Sequence, residues 1–369
     1  MAREGGAAKP GKNAARPRAP RLPESLRSPP PRLPGPDGGP GAGAGGTAII
    51  PAMRIIVTGG AGFIGSHLVD RFIALGHRVS VIDNLATGFR RNLNPKARFY
   101  EEDIRNTTGI RRIFRREKPE IVCHQAAIAE VMKSLRDPLP TLEVNVQGTV
   151  NLLMAAGEIR IRKFLFASTG GAIYGEPARI PAGEDTIPAP LSPYGLSKLL
   201  GEECIRYYAR TCGFQHLLLR YPNVFGPRQN PRGEAGVVAI FAGLMKRGGR
   251  PTIFGDGGKA RDYLYVEDVV RANVLGLNRG RNETLNLGWG RKVTDQEVFD
   301  TLALRMGYPK PPRYAPFRKG EVNRIALDAR RAGRRIGWRP SVTLDAGIRK
   351  YLDSTYPAAR KRRSRDPRR

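Results

Sequence analysis

Residues 53–84 read MRIIVTGGAGFIGSHLVDRFIALGHRVSVIDN, and this pattern decides the fold. The run Ile55–Val57 is short, apolar and β-rich, and Thr58 and a glycine cluster follow it. Phe63, Ile64, Leu68, Phe72, Ile73 and Leu75 then recur at helical spacing. A second apolar run, Val79–Ile82, ends in Asp83 and Asn84. Strand, tight turn, helix, strand and acid make half of a dinucleotide-binding βαβ unit. The glycines are spaced Gly59-x-x-Gly62-x-x-Gly65. Gly59 suits a sharp turn with positive φ. Gly62 lets a pyrophosphate approach the helix N-terminus, where free N–H groups and the dipole favour anions. Gly65 lets the helix lie close on the sheet. Asp83 is placed to accept from a ribose 2′-hydroxyl and to repel a 2′-phosphate, so NAD is expected rather than NADP.

Outward from this unit, strand and helix keep alternating. Strands are expected at 97–100, 120–124, 163–167 and 216–220, and helices at 107–116, 139–158 and 194–211. Six strands separated by helices imply a Rossmann-like doubly wound parallel sheet, an α/β fold with helices on both faces. Ligands in such sheets bind beyond the carboxyl ends of the strands. From residue 222 loops lengthen and strands shorten. A smaller C-terminal α/β lobe that binds substrate is expected there, with helices at 236–246, 266–277, 294–306, 327–336 and 343–352. The expected division is a cofactor-binding domain over 53–221, a crossover loop over 222–235 and a substrate-binding lobe over 236–355.

The ends read differently. Residues 1–52 are rich in Pro, Gly, Ala and Arg and hold almost no large apolar residue before Ile49. Such a segment cannot bury a core and is expected to be a disordered basic extension, with the folded protein beginning at Met53. Residues 356–369 read as a basic, solvated tail. The chain carries 63 Lys+Arg against 33 Asp+Glu, a net charge of +30. The charges are scattered and no nucleic-acid-binding motif is present, so no nucleic-acid partner is expected. Cys123, Cys204 and Cys212 show neither C-x-x-C nor zinc spacing, which points to buried reduced thiols in a cytoplasmic protein and to no metal. No apolar run approaches the roughly 18 residues that span a bilayer, so no membrane partner is expected.

The chemistry centres on Ser192-Pro-Tyr194-Gly-Leu-Ser-Lys198. Tyr and Lys at i and i+4 share one helix face. A phenol of pKa about 10 is a poor base at neutral pH. A nearby ammonium favours the phenolate, so Tyr194 becomes a candidate general acid/base with Lys198 as its tuning group. The preceding strand ends in Ser168-Thr169, whose hydroxyls can orient a substrate hydroxyl against the tyrosine.

These segments, together with HQAA (124–127), STGGAIYGE (168–176), LRYPNVFGPRQ (219–229), PTIFGDGGKARDYLYVEDVVRA (251–272) and RKGEV (318–322), resemble the extended short-chain dehydrogenase/reductases. More narrowly, they resemble nucleotide-sugar epimerases of the UDP-glucose 4-epimerase type. The resemblance implies an NAD-dependent enzyme that inverts C4 of a UDP-hexose through a 4-keto intermediate. It implies Tyr194 as acid/base, Lys198 on the nicotinamide ribose, and Thr169 or Ser168 as the hydroxyl partner. Gly59, Gly62, Phe63, Ile64, Gly65, Asp83, Asn84, Asp103, Ile104, Ala126, Ala127, Asn145 and Tyr221 would hold NAD. Tyr174, Asn223, Val238, Phe254, Arg261, Arg318 and Glu321 would hold the UDP-sugar. Two arginines suit a diphosphate on chemical grounds, since guanidinium forks match phosphate oxygens. A 4,6-dehydratase or a UDP-glucuronate decarboxylase would need an acid after the strand-end hydroxyls, where Gly170-Gly171-Ala172 stands. Epimerases of N-acetylated or uronic UDP-sugars, with the position near Ile325 limiting sugar bulk, and a non-catalytic NAD-sensing protein are the alternatives. Dimerisation through the two long helices is also implied, with Leu142, Val146, Val150 and Leu153 on the shared face.

Overall fold

The computed structural model describes residues 51–231, 236–318 and 320–357. The chain divides into Met1–Gly39 and Pro40–Arg369, and every described residue belongs to the second unit. Almost all of the expected N-terminal extension and basic tail therefore lies outside the described residues.

The first half runs β1 (Arg54–Thr58), α1 (Phe63–Ala74), β2 (Arg78–Asp83), β3 (Arg98–Glu101), α2 (Thr107–Glu117) and β4 (Ile121–His124). Then come α3 (Val131–Arg136), α4 (Pro138–Leu142), α5 (Gly148–Ile159), β5 (Lys163–Thr169), α6 (Gly170–Ile173), α7 (Pro193–Cys212) and β6 (Gln215–Tyr221). The second half runs β7 (Asn223–Phe225), α8 (Val237–Lys246), β8 (Thr252–Phe254), β9 (Ala260–Arg261), β10 (Tyr263–Tyr265) and α9 (Val266–Gly276). It ends with β11 (Glu283–Asn286), β12 (Val293–Thr294), α10 (Asp295–Met306), β13 (Arg313–Ala315), α11 (Arg330–Ile336) and α12 (Leu344–Thr355).

Seven parallel strands make the main sheet, in the order β11-β6-β5-β4-β1-β2-β3. Chain direction across the sheet reverses between β1 and β4, which opens a crevice beyond their carboxyl ends. The strands are apolar on both faces because helices cover both. On one face Val57, Val81, Leu165 and Leu219 pack against Leu68 and Phe72 of α1 and Val269 of α9. On the other Ile56, Ile82, Val122 and Phe166 pack against Phe114 of α2, Leu152 of α5 and Ile205 of α7. Each such side chain taken out of water contributes about 1.5–3 kcal/mol. Helix α7 starts where Ser192 accepts from the Gly195 amide, with Pro193 at its first position, and stops at Gly213 in the left-handed region. That cap fixes where Tyr194 and Lys198 point.

Four expectations change. The sheet has seven strands rather than six. The seventh, β11, arrives after the α9 crossover and buries Leu285 on the core beside Leu219 of β6. The helix expected over 139–158 is broken by a π turn at Glu143–Gln147. Asn145 sits in that turn because its side chain binds both the amide and the carbonyl of Ile128 (2.8 and 2.9 Å). Helix α11 begins at Arg330, not 327, because the Leu327 amide is taken by the Asp262 carboxylate and the Asp328 amide by the Ala182 carbonyl. Of the thiols, Cys123 is buried, whereas Cys204 and Cys212 are only half-buried. No helix among the described residues is long and apolar enough to cross a membrane.

Candidate active site

A cavity of about 720 Å³ follows the carboxyl ends of β1, β2, β4, β5 and β6 and continues onto β7, α8 and β9. Its first half is the glycine turn. Gly59 has φ +69°, and a Cβ there would lie 2.7 Å from the Ala126 amide nitrogen. A Cβ on Gly65 would lie 2.1 Å from the Gly59 carbonyl oxygen. Both positions therefore exclude any side chain. Helix α1 starts from Gly62 with no acidic residue in its first turn, leaving a positive N-terminus facing the cavity. Asp83 ends β2 and accepts from the Ala61 and Leu85 amides (2.9 and 2.8 Å). Burial pushes its pKa up, against these two bonds. Asn84 donates to Asp103 at 2.9 Å. Arg105 holds the Asp103 carboxyl down at about 2. Phe63, Ile64, Ile104, Ala126, Ala127 and Tyr221 also line this half. Asn145 does not; it stands behind the wall and donates to Ser197 at 2.9 Å, one residue before Lys198.

Behind the glycine turn lies a chain of hydrogen bonds with one possible direction. Thr149 Oγ1 donates to the Asn145 carbonyl (2.6 Å), so it must accept from His124 Nε2 (2.9 Å). His124 Nδ1 must then accept from Thr58 Oγ1 (2.7 Å), which itself accepts from the Gln125 and Ala126 amides (both 3.2 Å). The imidazole is a neutral Nε2–H tautomer joining the turn to the π turn of Asn145. Burial, helped by the Lys198 ammonium, pushes its pKa down to about 3. A group depressed from 6.5 contributes its stability in full above about pH 6.5 and loses it as the pH falls towards 3. Long-range ¹H–¹⁵N spectra at pH 5 should show this ring neutral and protonated at Nε2; a cationic signature there would refute the assignment.

The second half holds the candidate reacting groups. Tyr194 and Lys198 project from one face of α7, and Ser168 and Thr169 end β5. Thr169 favours the Tyr194 phenolate and works against the effect of burial. Ser168 faces away from that work: its Oγ donates to the buried Glu202 at 2.5 Å. Lys198 donates to the Ala167 carbonyl at 2.9 Å and lies 4.8 Å from the Phe166 ring centroid. Burial lowers the Lys198 pKa to about 7 and raises that of Tyr194. This departs from the expected lowering of the phenol: desolvation is the larger effect here, and Lys198 is turned towards Ala167. A methyl on Gly171 would sit 3.3 Å from Asn223 Oδ1 and 3.9 Å from Thr169 Oγ1, so bare backbone leaves room beside both.

Of the residues expected to hold substrate, Asn223, Val238, Arg261 and Glu321 line the cavity. Tyr174 does not. It is 1% exposed, and its hydroxyl is spent on Asn286 and Arg220 (both 2.8 Å). Phe254 and Arg318 also lie outside the lining; the guanidinium sits 3.5 Å from the Phe254 ring centroid and 3.6 Å from Glu321. Sequence reasoning missed Lys259 and Asp295, which do line the cavity. The signal for Lys259 was its place two residues before Arg261, hence on the same side of an extended strand. Among the described residues no three His, Cys, Asp or Glu side chains cluster as metal ligands.

The chain belongs to the NAD dependent epimerase/dehydratase family, whose model matches residues 55–288. Within that family it is 45% identical over 299 residues to a putative UDP-glucose 4-epimerase of Methanocaldococcus jannaschii, covering 81% of this chain and 97% of that one. It is 41% identical over 309 residues to the UDP-glucose 4-epimerase of Mycolicibacterium smegmatis, covering 82% and 98%. Among solved structures, the Thermotoga maritima UDP-glucose 4-epimerase with UDP-glucose superposes with a TM-score of 0.81 at 47% identity, covering 82% and 98%. The Thermus thermophilus UDP-glucose 4-epimerase in complex with NAD gives 0.79 at 44%, covering 83% and 100%.

Proposed function

We infer that this protein is an NAD-dependent epimerase that inverts C4 of a UDP-hexose, interconverting UDP-glucose and UDP-galactose through a transient 4-keto sugar. The observation that carries this reading is that Tyr194, Lys198 and Thr169 line one cavity with the Gly59–Gly65 turn, in a chain 45% identical to a putative UDP-glucose 4-epimerase. The residues along the turn fit NAD: free helix amides for the pyrophosphate, and at Asp83 a carboxylate that accepts from the ribose and repels a 2′-phosphate. Bound there, NAD supplies the hydride acceptor and donor for C4, and its positive ring favours the phenolate.

The chain's own groups do the rest. Thr169 orients the sugar 4-hydroxyl, and Tyr194 takes its proton as C4 is oxidised. Arg261 keeps the diphosphate anchored while the keto sugar turns over beside Gly171. Tyr194 then returns the proton to the sugar's 4-oxygen as C4 is reduced on its opposite face. Lys198 holds the ribose and steadies the charge on the phenol. Purified protein given UDP-galactose should yield UDP-glucose without added reductant. Bound NAD with no turnover of any UDP-hexose would leave the NAD-sensing reading in its place.

A homodimer is part of the same proposal. Leu139, Leu196, Leu200 and Tyr207 are exposed on α4 and α7, beside half-buried Leu142, Val146 and Val150. Leu153, expected on that face, is buried in the sheet core. A light-scattering mass near the monomer's 40.5 kDa would sink the dimer.

A further inference from the structure

We propose that Lys259 is a substrate-binding residue, the second cation of the diphosphate site beside Arg261. The proposal rests on the UDP-sugar reading above. Lys259 and Arg261 flank Ala260 at β9, and both line the cavity. The resemblance assigns the second charge to Arg318, but that guanidinium lies over Phe254 and outside the lining. Without another cation, the wall from the C-terminal lobe would show a diphosphate one guanidinium and two carboxylates, Asp295 and Glu321.

The donors can be counted. Arg261 spends three of its five N–H groups on the carbonyls of Ala260, Val322 and Asn323. Two remain, among the described residues, for one phosphate. The Lys259 ammonium lies 2.8 Å from Glu321 Oε2 and 3.4 Å from Asp295 Oδ2. Its third N–H remains for a phosphate oxygen.

The surroundings fix the ammonium in place. The Asp295 amide donates to the Lys259 carbonyl at 3.0 Å, and Tyr263 donates to Asp295 Oδ1 at 3.2 Å. The segment bearing Glu321 is held to β9 by bonds from Ala260 to Asn323 and from Ile325 to Ala260 (3.0 and 3.1 Å). Side-chain exposures of 12% for Lys259, 17% for Glu321 and 4% for Asp295 leave the ammonium desolvated, where a charge-assisted bond is strong. The same lysine offsets part of the repulsion that the two carboxylates would exert on the ligand.

A lysine that merely ties Asp295 to Glu321 would share this geometry, so the test separates phosphate binding from clamping. Binding of UDP and of uridine is measured by calorimetry for the wild type, K259M and K259M/D295N. The double variant leaves no buried carboxylate unpaired at Asp295 and keeps the test open if K259M folds poorly. The expected result is a Kd for UDP raised about 10- to 100-fold, the span of a charge-assisted hydrogen bond, with uridine changed less than about twofold. The KM for UDP-galactose should rise alike while kcat holds. An unchanged ratio of UDP to uridine affinity in both variants overturns the proposal and leaves the epimerase reading intact. A wild type that neither binds UDP nor turns over UDP-galactose takes both down together.

Discussion

Tyr194→Phe should keep its NAD and lose about 10²- to 10⁴-fold in kcat, the contribution typical of a positioned general acid/base. Phenylalanine keeps the ring that packs at the head of α7. The bond from the Tyr194 backbone amide to Ser134 (3.2 Å) does not involve the phenol. Lys198 is anchored on Ala167 rather than on the tyrosine, so its position survives as well. What disappears is the proton carrier. The loss should therefore fall on kcat, with UDP affinity and melting temperature close to wild type. Turnover within about threefold of wild type would remove Tyr194 from the chemistry.

Arg220→Met should cost about 3–5 kcal/mol of folding stability, the usual result of stripping one partner from a buried ion pair. Glu202 is 0% exposed and Arg220 is 4%. Arg220 donates to both carboxylate oxygens (2.9 and 2.7 Å) and to the Tyr174 hydroxyl. Burial alone would raise the Glu202 pKa, yet these donors hold it below the usual carboxylate range. Arg206 also reaches Glu202, at 2.9 Å, but it is a quarter exposed and cannot replace a buried bidentate partner. Replacing both residues, as Glu202→Gln with Arg220→Met, should recover part of the loss because no charge is then stranded. Urea unfolding followed by circular dichroism measures each variant; a loss below about 1 kcal/mol for Arg220→Met would contradict the account. Because Ser168 hangs on Glu202, the same variant should also disturb Thr169 next to it and lower kcat.

The sequence made the cofactor half legible because its demands are local. Gly59 and Gly65 sit where a Cβ would strike backbone, and no later packing can alter that. Asp83 and the Tyr194–Lys198 pair are fixed by strand end and helix pitch. The substrate half was harder to read because distant segments build it. Lys259 meets Glu321 and Asp295 only after β9 has paired with β12 and with the 323–325 segment. Tyr174 looked like a ligand from its neighbours in sequence, but the strand carrying Asn286 claims its hydroxyl. The π turn was hidden for the same reason, since Asn145 is held by Ile128 and Ser197, seventeen and fifty-two positions away. Arg318 and Phe254 pair with each other because a guanidinium stacks well on an aromatic face, and nothing local announces that choice.

The seventh strand bears on the order in which the molecule can be made. β11 closes the outer edge of β6, and its Leu285 and the adjoining Leu287 share a core with Leu217, Leu219 and Trp338. A nascent chain that has just delivered β6 still has an open edge and a half-covered floor. It must wait until β7 through α9, and with them Arg261 and Asp262, have left the ribosome. The sheet that lines the nucleotide half of the cavity is thus finished only after the residues that line its other half exist. Cutting between the two halves would leave the first with an unfinished sheet edge rather than a smaller working domain.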